Sequence, residues 1–261
     1  MPLSKADIIS KLQRDLLPLQ GYKSSLSRHG TIKLGPINDA FPNGIFPAGA
    51  IHELIISKTE HTASTLGFVT GIIGKLAKGT GVTLWISRAR QVFPPGLTIF
   101  GIEPDKIIFI DLKTELDCFW AMEEALKCEG LTAVVCETRD LSFTASRRFQ
   151  LAVEQSGVTG FLLRHTPRNL AANVCIARWK ISSLNSQSHN GLPGIGFPRW
   201  NVELLKIRNG RPGNWQIEFA SGEFKYICKE EYTTGKEPSI AKPLFAKEQP
   251  GIPEEQHKKA G

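Results

Sequence analysis

Between residues 50 and 163, short and almost wholly apolar segments alternate with longer segments of helical periodicity, and this alternation limits the fold more than any other feature. Strands that are apolar on both faces are typical of parallel sheets, because helices cover both faces of such sheets. The pattern therefore predicts an α/β fold with a mostly parallel sheet and helices on both faces. The predicted strands are 50–56, 82–86, 106–112, 131–136 and 159–163, and the predicted helices are 62–78, 114–128 and 142–156.

Two of these helices carry specific signals. The apolar residues of helix 62–78 fall on one face, which consists of Leu66, Val69, Ile73 and Leu76. Thr114 and Asp117 have the spacing of a capping box, so we expect the helix after them to begin there.

The last third of the core has a different pattern. Segments 174–182, 200–208, 214–220 and 223–228 resemble strands that turns connect, and the sequence RNGRPGNW between the second and third of them is typical of a hairpin. We therefore expect these four strands to extend the parallel sheet in antiparallel fashion.

Three regions follow from composition. Residues 1–30 hold a short amphipathic helix and a linker, residues 31–228 form the core domain, and residues 229–261 are a polar, proline-rich tail that we expect to be flexible. The apolar stripe of the predicted N-terminal helix consists of Ile8, Ile9, Leu12, Leu16 and Leu19.

The formal net charge is +7, and the tail contributes none of it, since six lysines and six glutamates follow residue 228. The excess charge of the core fits a nucleic-acid or acidic protein partner, although many cytosolic proteins are equally basic. No apolar run reaches the roughly 18 residues of a membrane helix, so we expect a cytoplasmic protein. The five cysteines form no C-x-x-C pair, and we expect buried, reduced thiols.

The segment GAIHELIISKTEHTASTLGF has the order strand, polar loop and helix that is typical of a nucleotide site. A phosphate loop needs glycines and a lysine, and the pattern G-x-x-x-x-G-K-[ST] is absent from the chain. Glu60 in this loop would also repel a triphosphate. We therefore predict a degenerate nucleotide loop without ATP hydrolysis. It comprises Ser57, Lys58, Thr59, Glu60, His61 and Thr62.

Other catalytic patterns are absent as well. The chain has no nucleophile elbow, no zinc helix and no cysteine or histidine cluster with metal spacing, so we predict no enzyme activity, no cofactor and no metal. Asp111, Glu137 and Asp140 stand at or just past predicted strand ends. They either contribute to a site there or cap the following helices.

The second strong feature is a basic hairpin. Lys206 and Arg208 lie on one face of a predicted strand, about 7 Å apart, and Arg211 follows in the turn. Cations at a rigid hairpin tip suit contact with a phosphate, a nucleic-acid backbone or a neighbouring subunit's active site. A solvated hairpin tip explains the pattern equally well.

Two further arginines, Arg147 and Arg148, are adjacent in helix 142–156 and so point about 100° apart. One of them is then exposed, while the other pairs with Glu154 or with a backbone group. An ordinary amphipathic helix is the simpler interpretation.

Four stretches together resemble the ImuA family, namely FPNGIFPAGAIHEL, ALKCEGLTAVVCE, FTASRRFQLAVEQSGVT and RWNVELLKIRNGRPGNW. The resemblance runs over about residues 32–219. It implies a RecA-like core of the P-loop NTPase type and a nucleoid-associated role in damage-induced, error-prone translesion synthesis. It also implies binding to ImuB, which is an inactive relative of Y-family polymerases, and to RecA, with an error-prone polymerase as an indirect partner.

The resemblance further implies where RecA functions would lie. Arg88 or its neighbours replace the acid that activates water, and Cys136 or Glu137 stands where an aspartate would hold Mg²⁺. The DNA-binding loops are short. The residues that lend charge to these loops or to a partner surface are Arg139, Arg147, Arg148, Arg164 and Arg168.

In RecA-like assemblies a basic pair on a C-terminal strand reaches the neighbouring subunit's ATP, and Lys206 with Arg208 occupies the matching place. The resemblance thus implies a non-catalytic adaptor that completes a partner's site and docks on one side of a RecA filament. The alternatives are a weak ATP-binding protein, a single-strand DNA-binding module and a regulator that resembles SulA. The length of the chain and its RNGRPGNW hairpin favour ImuA over SulA.

Overall fold

The computed structural model describes residues 32–77, 81–168, 170–186 and 196–227. The predicted N-terminal segment 1–30 and the predicted tail 229–261 lie outside the described residues, as do Lys78 and Cys228. The domain boundaries at residues 30 and 228 therefore remain predictions.

The described residues form a single mixed sheet. Its strands are β1 (Ile51–Ile56), β2 (Val82–Ser87), β3 (Ile107–Asp111), β4 (Leu131–Thr138), β5 (Thr159–His165), β6 (Ala177–Leu184), β7 (Arg199–Ile207), β8 (Gly213–Ala220) and β9 (Glu223–Tyr226). Their order is β3-β2-β4-β5-β1-β6-β7-β8-β9. Strands β1 to β6 pair in parallel, whereas β7, β8 and β9 add in antiparallel fashion. The predicted α/β class with a mostly parallel sheet and an antiparallel extension is confirmed.

One strand differs from the prediction. The sequence assigned the strand at 174–182 to the antiparallel extension, but β6 runs parallel to β1, with Ala177 beside His52. A parallel neighbour needs a connection that crosses the sheet, and no helix is formed in the described residues of this crossing, 166–168 and 170–176. The crossing had no helical periodicity in the sequence, so the strand resembled those that tight turns connect.

In the described part of the chain, three α-helices cover the sheet, and short 3₁₀ segments connect several elements. The α-helices are α1 (Thr62–Ala77), α2 (Glu115–Leu126) and α3 (Phe143–Ser156), and the 3₁₀ segments are Gly35–Ala40, Pro42–Gly44, Thr59–His61, Pro94–Phe100 and Pro104–Lys106. Within the described ranges, none of the helices has the length and apolar character needed to cross a membrane.

Helix α1 is buried on nearly all sides. Val69, Ile73 and Leu76 are buried as predicted, and Leu66 is half-buried. The opposite side of the helix is also covered, because an added Cβ on Gly67 would lie 2.9 Å from the Trp200 ring and one on Gly71 would lie 2.8 Å from the Phe224 ring. The prediction of one apolar face was therefore incomplete, since aromatic rings of β7 and β9 pack on the second face.

Helices α2 and α3 lie on the other face of the sheet, and both begin at capped N-termini. The Thr114 hydroxyl accepts a hydrogen bond from the Asp117 N–H at 3.1 Å, which confirms the predicted cap. The Ser142 hydroxyl accepts one from the Ala145 N–H at 3.1 Å. Helix α3 ends at Gly157, whose φ of 75° is in the left-handed region that favours glycine.

The cysteines agree with the prediction in three cases of four. Cys118, Cys136 and Cys175 are buried free thiols, whereas Cys128 is exposed. The prediction was wrong for Cys128 because helix α2 ends at Leu126 and leaves this residue in the following turn.

Candidate functional site

The loop at the carboxyl end of β1 leads into α1 through a short 3₁₀ turn. Ser57, Lys58, Thr59 and Glu60 are exposed, while His61 and Thr62 are half-buried. The Lys58 ammonium lies 3.3 Å from the Glu60 carboxylate, and the His61 ring lies 3.7 Å from the same carboxylate. The only lysine of this loop thus faces an acid of the same loop.

Cys136 and Glu137, the two residues considered for the place of a metal-binding aspartate, lie on opposite faces of the sheet. Cys136 lies under α2, where its thiol faces the Cys118 carbonyl, so Glu137 is on the face that α1 covers. One Glu137 oxygen accepts a hydrogen bond from the Trp85 indole N–H at 2.8 Å, and the other lies 3.1 Å from the His165 ring nitrogen. This nearly buried carboxylate is therefore engaged by protein groups at both oxygens. In the described part of the chain, no three His, Cys, Asp or Glu side chains cluster as a metal site would require.

Neither of the two aspartates at the strand ends caps a helix, because Thr114 and Ser142 are the N-caps. Asp111 pairs with Arg90 at 2.6 Å, and the Arg90 guanidinium lies 4.6 Å from the centre of the Phe109 ring. Asp140 accepts a hydrogen bond from the Arg168 N–H at 3.2 Å. The capping interpretation of these residues is wrong.

Glu115, at the start of α2, fixes the segment that follows β4. One of its oxygens accepts hydrogen bonds from the Arg139 N–H at 2.6 Å, the Asp140 N–H at 3.2 Å and the Thr138 hydroxyl. Burial alone would raise the pKa of Glu115, but these hydrogen bonds outweigh burial and hold it below its ordinary value. The segment that follows β4 is thus held by the neighbouring helix.

The basic residues at the carboxyl ends of the strands divide into two groups. Arg88, Arg139 and Arg168 are exposed. Arg164 is buried, with 1% of its surface exposed, and donates to the Glu53 carboxylate at 2.6 Å. It therefore lends no charge to the surface, contrary to the sequence-based expectation, because a strand residue that faces the covered side of a sheet points inward.

On helix α3 both predicted arginines are exposed. Arg148 pairs with Glu123 of α2 at 2.5 Å rather than with Glu154. The predicted partner was wrong because α2 lies beside α3 and offers a closer carboxylate, which the sequence alone does not place there.

Glu53 is the centre of a buried ionic cluster that the sequence analysis missed. Its side chain is fully buried and receives Arg164 on one oxygen and both Arg178, at 2.6 Å, and Asn173, at 2.8 Å, on the other. Burial alone would raise the pKa of Glu53, but the hydrogen bonds from Asn173, Arg164 and Arg178 hold it below its ordinary value. A carboxylate inside the apolar run IHELII was the signal for this cluster, because such a residue needs buried partners.

The basic hairpin does not project into solvent. Lys206 Nζ donates to the Asn173 carbonyl at 2.9 Å, and Arg208 donates to the Val174 carbonyl at 3.0 Å. Both side chains are half-buried and reach adjacent carbonyls, so they lie on the same side of the sheet, as predicted.

The turn of this hairpin packs against the segment that precedes β1. The Arg211 N–H donates to the Ala40 carbonyl at 2.9 Å, and a Cβ on Gly210 would overlap the same carbonyl oxygen. The turn is therefore anchored through its backbone, while the side chains of Asn209, Arg211 and Pro212 stay exposed.

The two sequence-predicted sites lie at opposite ends of the central strands. We call these two sides of the sheet the carboxyl edge and the amino edge, after the ends of the parallel strands that lie there. The loop 57–62 follows the carboxyl end of β1. Strand β6 runs parallel to β1 and β7 runs antiparallel to β6, with Ile207 beside Ala177 and Ala177 beside His52. Lys206 and Arg208 therefore lie at the amino edge, and the structure does not bring them together with the loop.

Comparison with known proteins shows a similarity to curated proteins named ImuA. The chain is 32% identical over 194 residues to the curated Protein ImuA of Caulobacter vibrioides strain NA1000 / CB15N, and the match covers 70% of this chain and 80% of the relative. Protein ImuA of strain ATCC 19089 / CIP 103742 / CB 15 matches with the same identity and coverage. No protein-family model matches the chain.

Proposed function

Because the chain belongs to the ImuA family, we propose that it is a non-catalytic, RecA-like adaptor of a mutagenesis cassette in damage-induced, error-prone translesion synthesis. In this proposal it binds an ImuB-like relative of Y-family polymerases and RecA directly, and an error-prone polymerase indirectly. It acts at the nucleoid through contacts rather than through chemistry.

The observation that carries the proposal is the separation of the two sites. In a head-to-tail assembly each subunit offers its nucleotide loop at one edge and its trans-acting cations at the other. This chain has Lys206 and Arg208 at the amino edge, while the loop at its carboxyl edge lacks glycines and has an acid facing its lysine. A subunit with only the cationic half can complete a neighbour's ATP site and cannot offer one itself.

Two features argue against the binding and hydrolysis of ATP with Mg²⁺ by this chain. We assign Glu137 to the place of a metal-binding carboxylate. Its two oxygens are already engaged by the Trp85 indole N–H and the His165 ring nitrogen. Arg88 stands after β2, where an acid would activate water, and a cation cannot take that role. Equilibrium binding of labelled ATP to the purified chain tests this part, and saturable binding in the presence of Mg²⁺ would contradict it.

Co-purification with ImuB and RecA, with and without an ATP analogue and single-stranded DNA, tests the adaptor function. Capture of RecA that depends on the ATP analogue and is lost in Lys206→Ala/Arg208→Ala supports it. The matched control is Lys33→Ala/Lys225→Ala, because it removes the same charge from exposed positions elsewhere. Equal capture by both double variants would contradict the proposed role of the basic pair.

Single-strand DNA binding is the second candidate function. The observation that favours it is the exposure of Arg139 and Arg168 at the ends of neighbouring strands. Two phosphate contacts would give a slope of about −1.4 in a plot of log K against log salt concentration. Filter binding of single-stranded DNA across salt concentrations measures this slope, and Arg139→Ala/Arg168→Ala should abolish it.

A further inference from the structure

The connection between β5 and β6 crosses over β1 as an irregular segment. The Thr166 N–H donates to the Ile56 carbonyl at one end of β1, and the Ile176 N–H donates to the Ile51 carbonyl at the other end, both at 2.8 Å. A crossing without a helix leaves backbone polar groups that need other partners. Side chains of the surrounding strands and of α3 provide these partners.

Four carbonyls of the crossing receive cationic side chains. Arg178 donates to the Ala171 carbonyl at 2.9 Å and to the Leu170 carbonyl at 3.5 Å. The next two acceptors are the carbonyls of residues 173 and 174, which receive Lys206 and Arg208. The place of the basic pair is therefore set by the crossing as well as by the hairpin that carries it.

Asn173 anchors the crossing at this point. Only 6% of its surface is exposed, its side-chain N–H donates to Glu53 at 2.8 Å, and its side-chain oxygen accepts from the Cys175 N–H at 3.2 Å. Since Glu53 is in β1, the Asn173 carbonyl is fixed relative to the centre of the sheet. The chain of contacts thus runs from Glu53 through Asn173 to the Lys206 ammonium.

We infer that Asn173 is a positioning residue for the basic pair: through its bond to Glu53 it holds the carbonyls that orient Lys206 and Arg208 toward a phosphate of the partner. An ammonium has three N–H donors, and Asn173 accepts one of them, so two remain for the phosphate. A side chain that is already oriented loses less conformational entropy on binding. The inference rests on the proposed function for what the pair contacts, but not for how the pair is held.

The positioning is tested by NMR of the full chain with ¹⁵N-labelled lysine. A hydrogen-bonded ammonium exchanges its protons slowly, so the wild-type chain should give a sharp Nζ–H signal that Lys206→Arg removes. Asn173→Ala should broaden or abolish this signal. Ser146→Ala is the control, because it removes the hydroxyl that accepts from the Val174 N–H at 3.3 Å and leaves the bond between Glu53 and Asn173 intact.

A sharp, unchanged Lys206 signal in folded Asn173→Ala would overturn the inference. If that variant fails to fold, Asn173→Ser removes the same amide with a smaller change in polarity. A sharp, unchanged Lys206 signal in folded Asn173→Ser would then overturn the inference. The absence of a protected Lys206 signal in the wild-type chain would overturn the inference without any variant.

A binding measurement with RecA and an ATP analogue completes the test. Asn173→Ala should weaken binding about tenfold, as expected for a displaced hydrogen bond to a charged group. In the Lys206→Ala/Arg208→Ala background it should have no further effect, whereas a purely structural role would weaken both backgrounds equally. If Lys206→Ala/Arg208→Ala itself leaves binding unchanged, the proposed function fails, while the NMR result still decides the positioning.

Discussion

His52 is a neutral histidine whose tautomer is set by its two neighbours. Its Nδ1 accepts a hydrogen bond from the Trp179 indole N–H at 3.3 Å, so Nε2 carries the proton that it donates to the Pro47 carbonyl at 2.9 Å. The ring stacks on Phe46 and Phe161, at 4.6 and 5.4 Å between ring centres. Burial lowers the pKa of His52 to about 4, against a smaller upward effect of the Pro47 carbonyl.

This residue predicts a loss of stability in mild acid. The unfolded chain takes up a proton near pH 6.5 and the folded chain only near pH 4, so the contribution is complete above pH 6.5 and is lost as the pH falls through this window. We expect the free energy of unfolding to fall by about 2 kcal/mol more between pH 7 and pH 4.5 than in His52→Gln, which does not titrate. Urea unfolding at both pH values measures this difference, and equal losses in the two proteins would contradict the assignment.

The cysteines give a second residue-scale prediction. Burial raises the pKa of Cys118, raises that of Cys136 further, and raises that of Cys175 to about 12, so these thiols are protonated and shielded. Iodoacetamide should therefore label Cys128 in the native protein and the three buried cysteines only after denaturation. Peptide mass spectrometry reads the sites, and labelling of Cys136 in the native state would show that the packing around it is wrong.

At the residue scale, the sequence could predict local chemistry better than contacts across the sheet. The cap at Thr114 could be predicted because Thr114 and Asp117 lie within one helical turn of each other. The cluster around Glu53 was not, since Arg164, Asn173 and Arg178 come from segments more than a hundred residues away. For the same reason Arg164 was expected at the surface although it is buried.

Among the elements, α1 departs furthest from its sequence pattern. Its predicted stripe is buried, but Gly67 and Gly71 face aromatic side chains of strands that follow more than a hundred residues later. These two glycines therefore make room for aromatic rings, and no periodicity within the helix predicts this. The direction of β6 was missed in a similar way, because the connection that decides it has no regular structure.

The close approach at α1 predicts the sign of a glycine substitution. Alanine normally stabilises a helix interior by about 1 kcal/mol relative to glycine. In Gly74→Ala the new Cβ would overlap the Phe100 carbonyl oxygen, which belongs to the backbone and cannot turn away. We therefore expect destabilisation by about 1–3 kcal/mol in denaturant unfolding.

Gly130→Ala is the matched control for this substitution. Its Cβ would meet no atom within 4 Å, and we expect no loss of stability. A gain of stability in Gly74→Ala would mean that the segment Pro94–Phe100 does not lie against α1 as described.

For the whole molecule, the parallel sheet separates two edges that have different chemistry. The order of strands and the direction of β7 place the basic pair at the amino edge and the loop 57–62 at the carboxyl edge. The sequence could single out both sets of residues as candidates, but it could not place them on opposite edges, because that follows from the parallel direction of β6.

The adaptor proposal makes a quantitative prediction at this scale. A subunit that completes a neighbour's site and offers none can join an assembly of RecA only at one end, so the bound amount should depend on the number of filament ends. We expect shearing of preformed RecA filaments, at constant total RecA, to raise binding of the labelled chain in proportion to the number of ends, which electron microscopy counts. Lys206→Ala/Arg208→Ala should lose this dependence, and Lys33→Ala/Lys225→Ala should keep it. Binding in proportion to total RecA, whatever the filament length, would instead mean that the chain decorates the sides of filaments, and contact through the basic pair at the amino edge would then be excluded as the mode of docking.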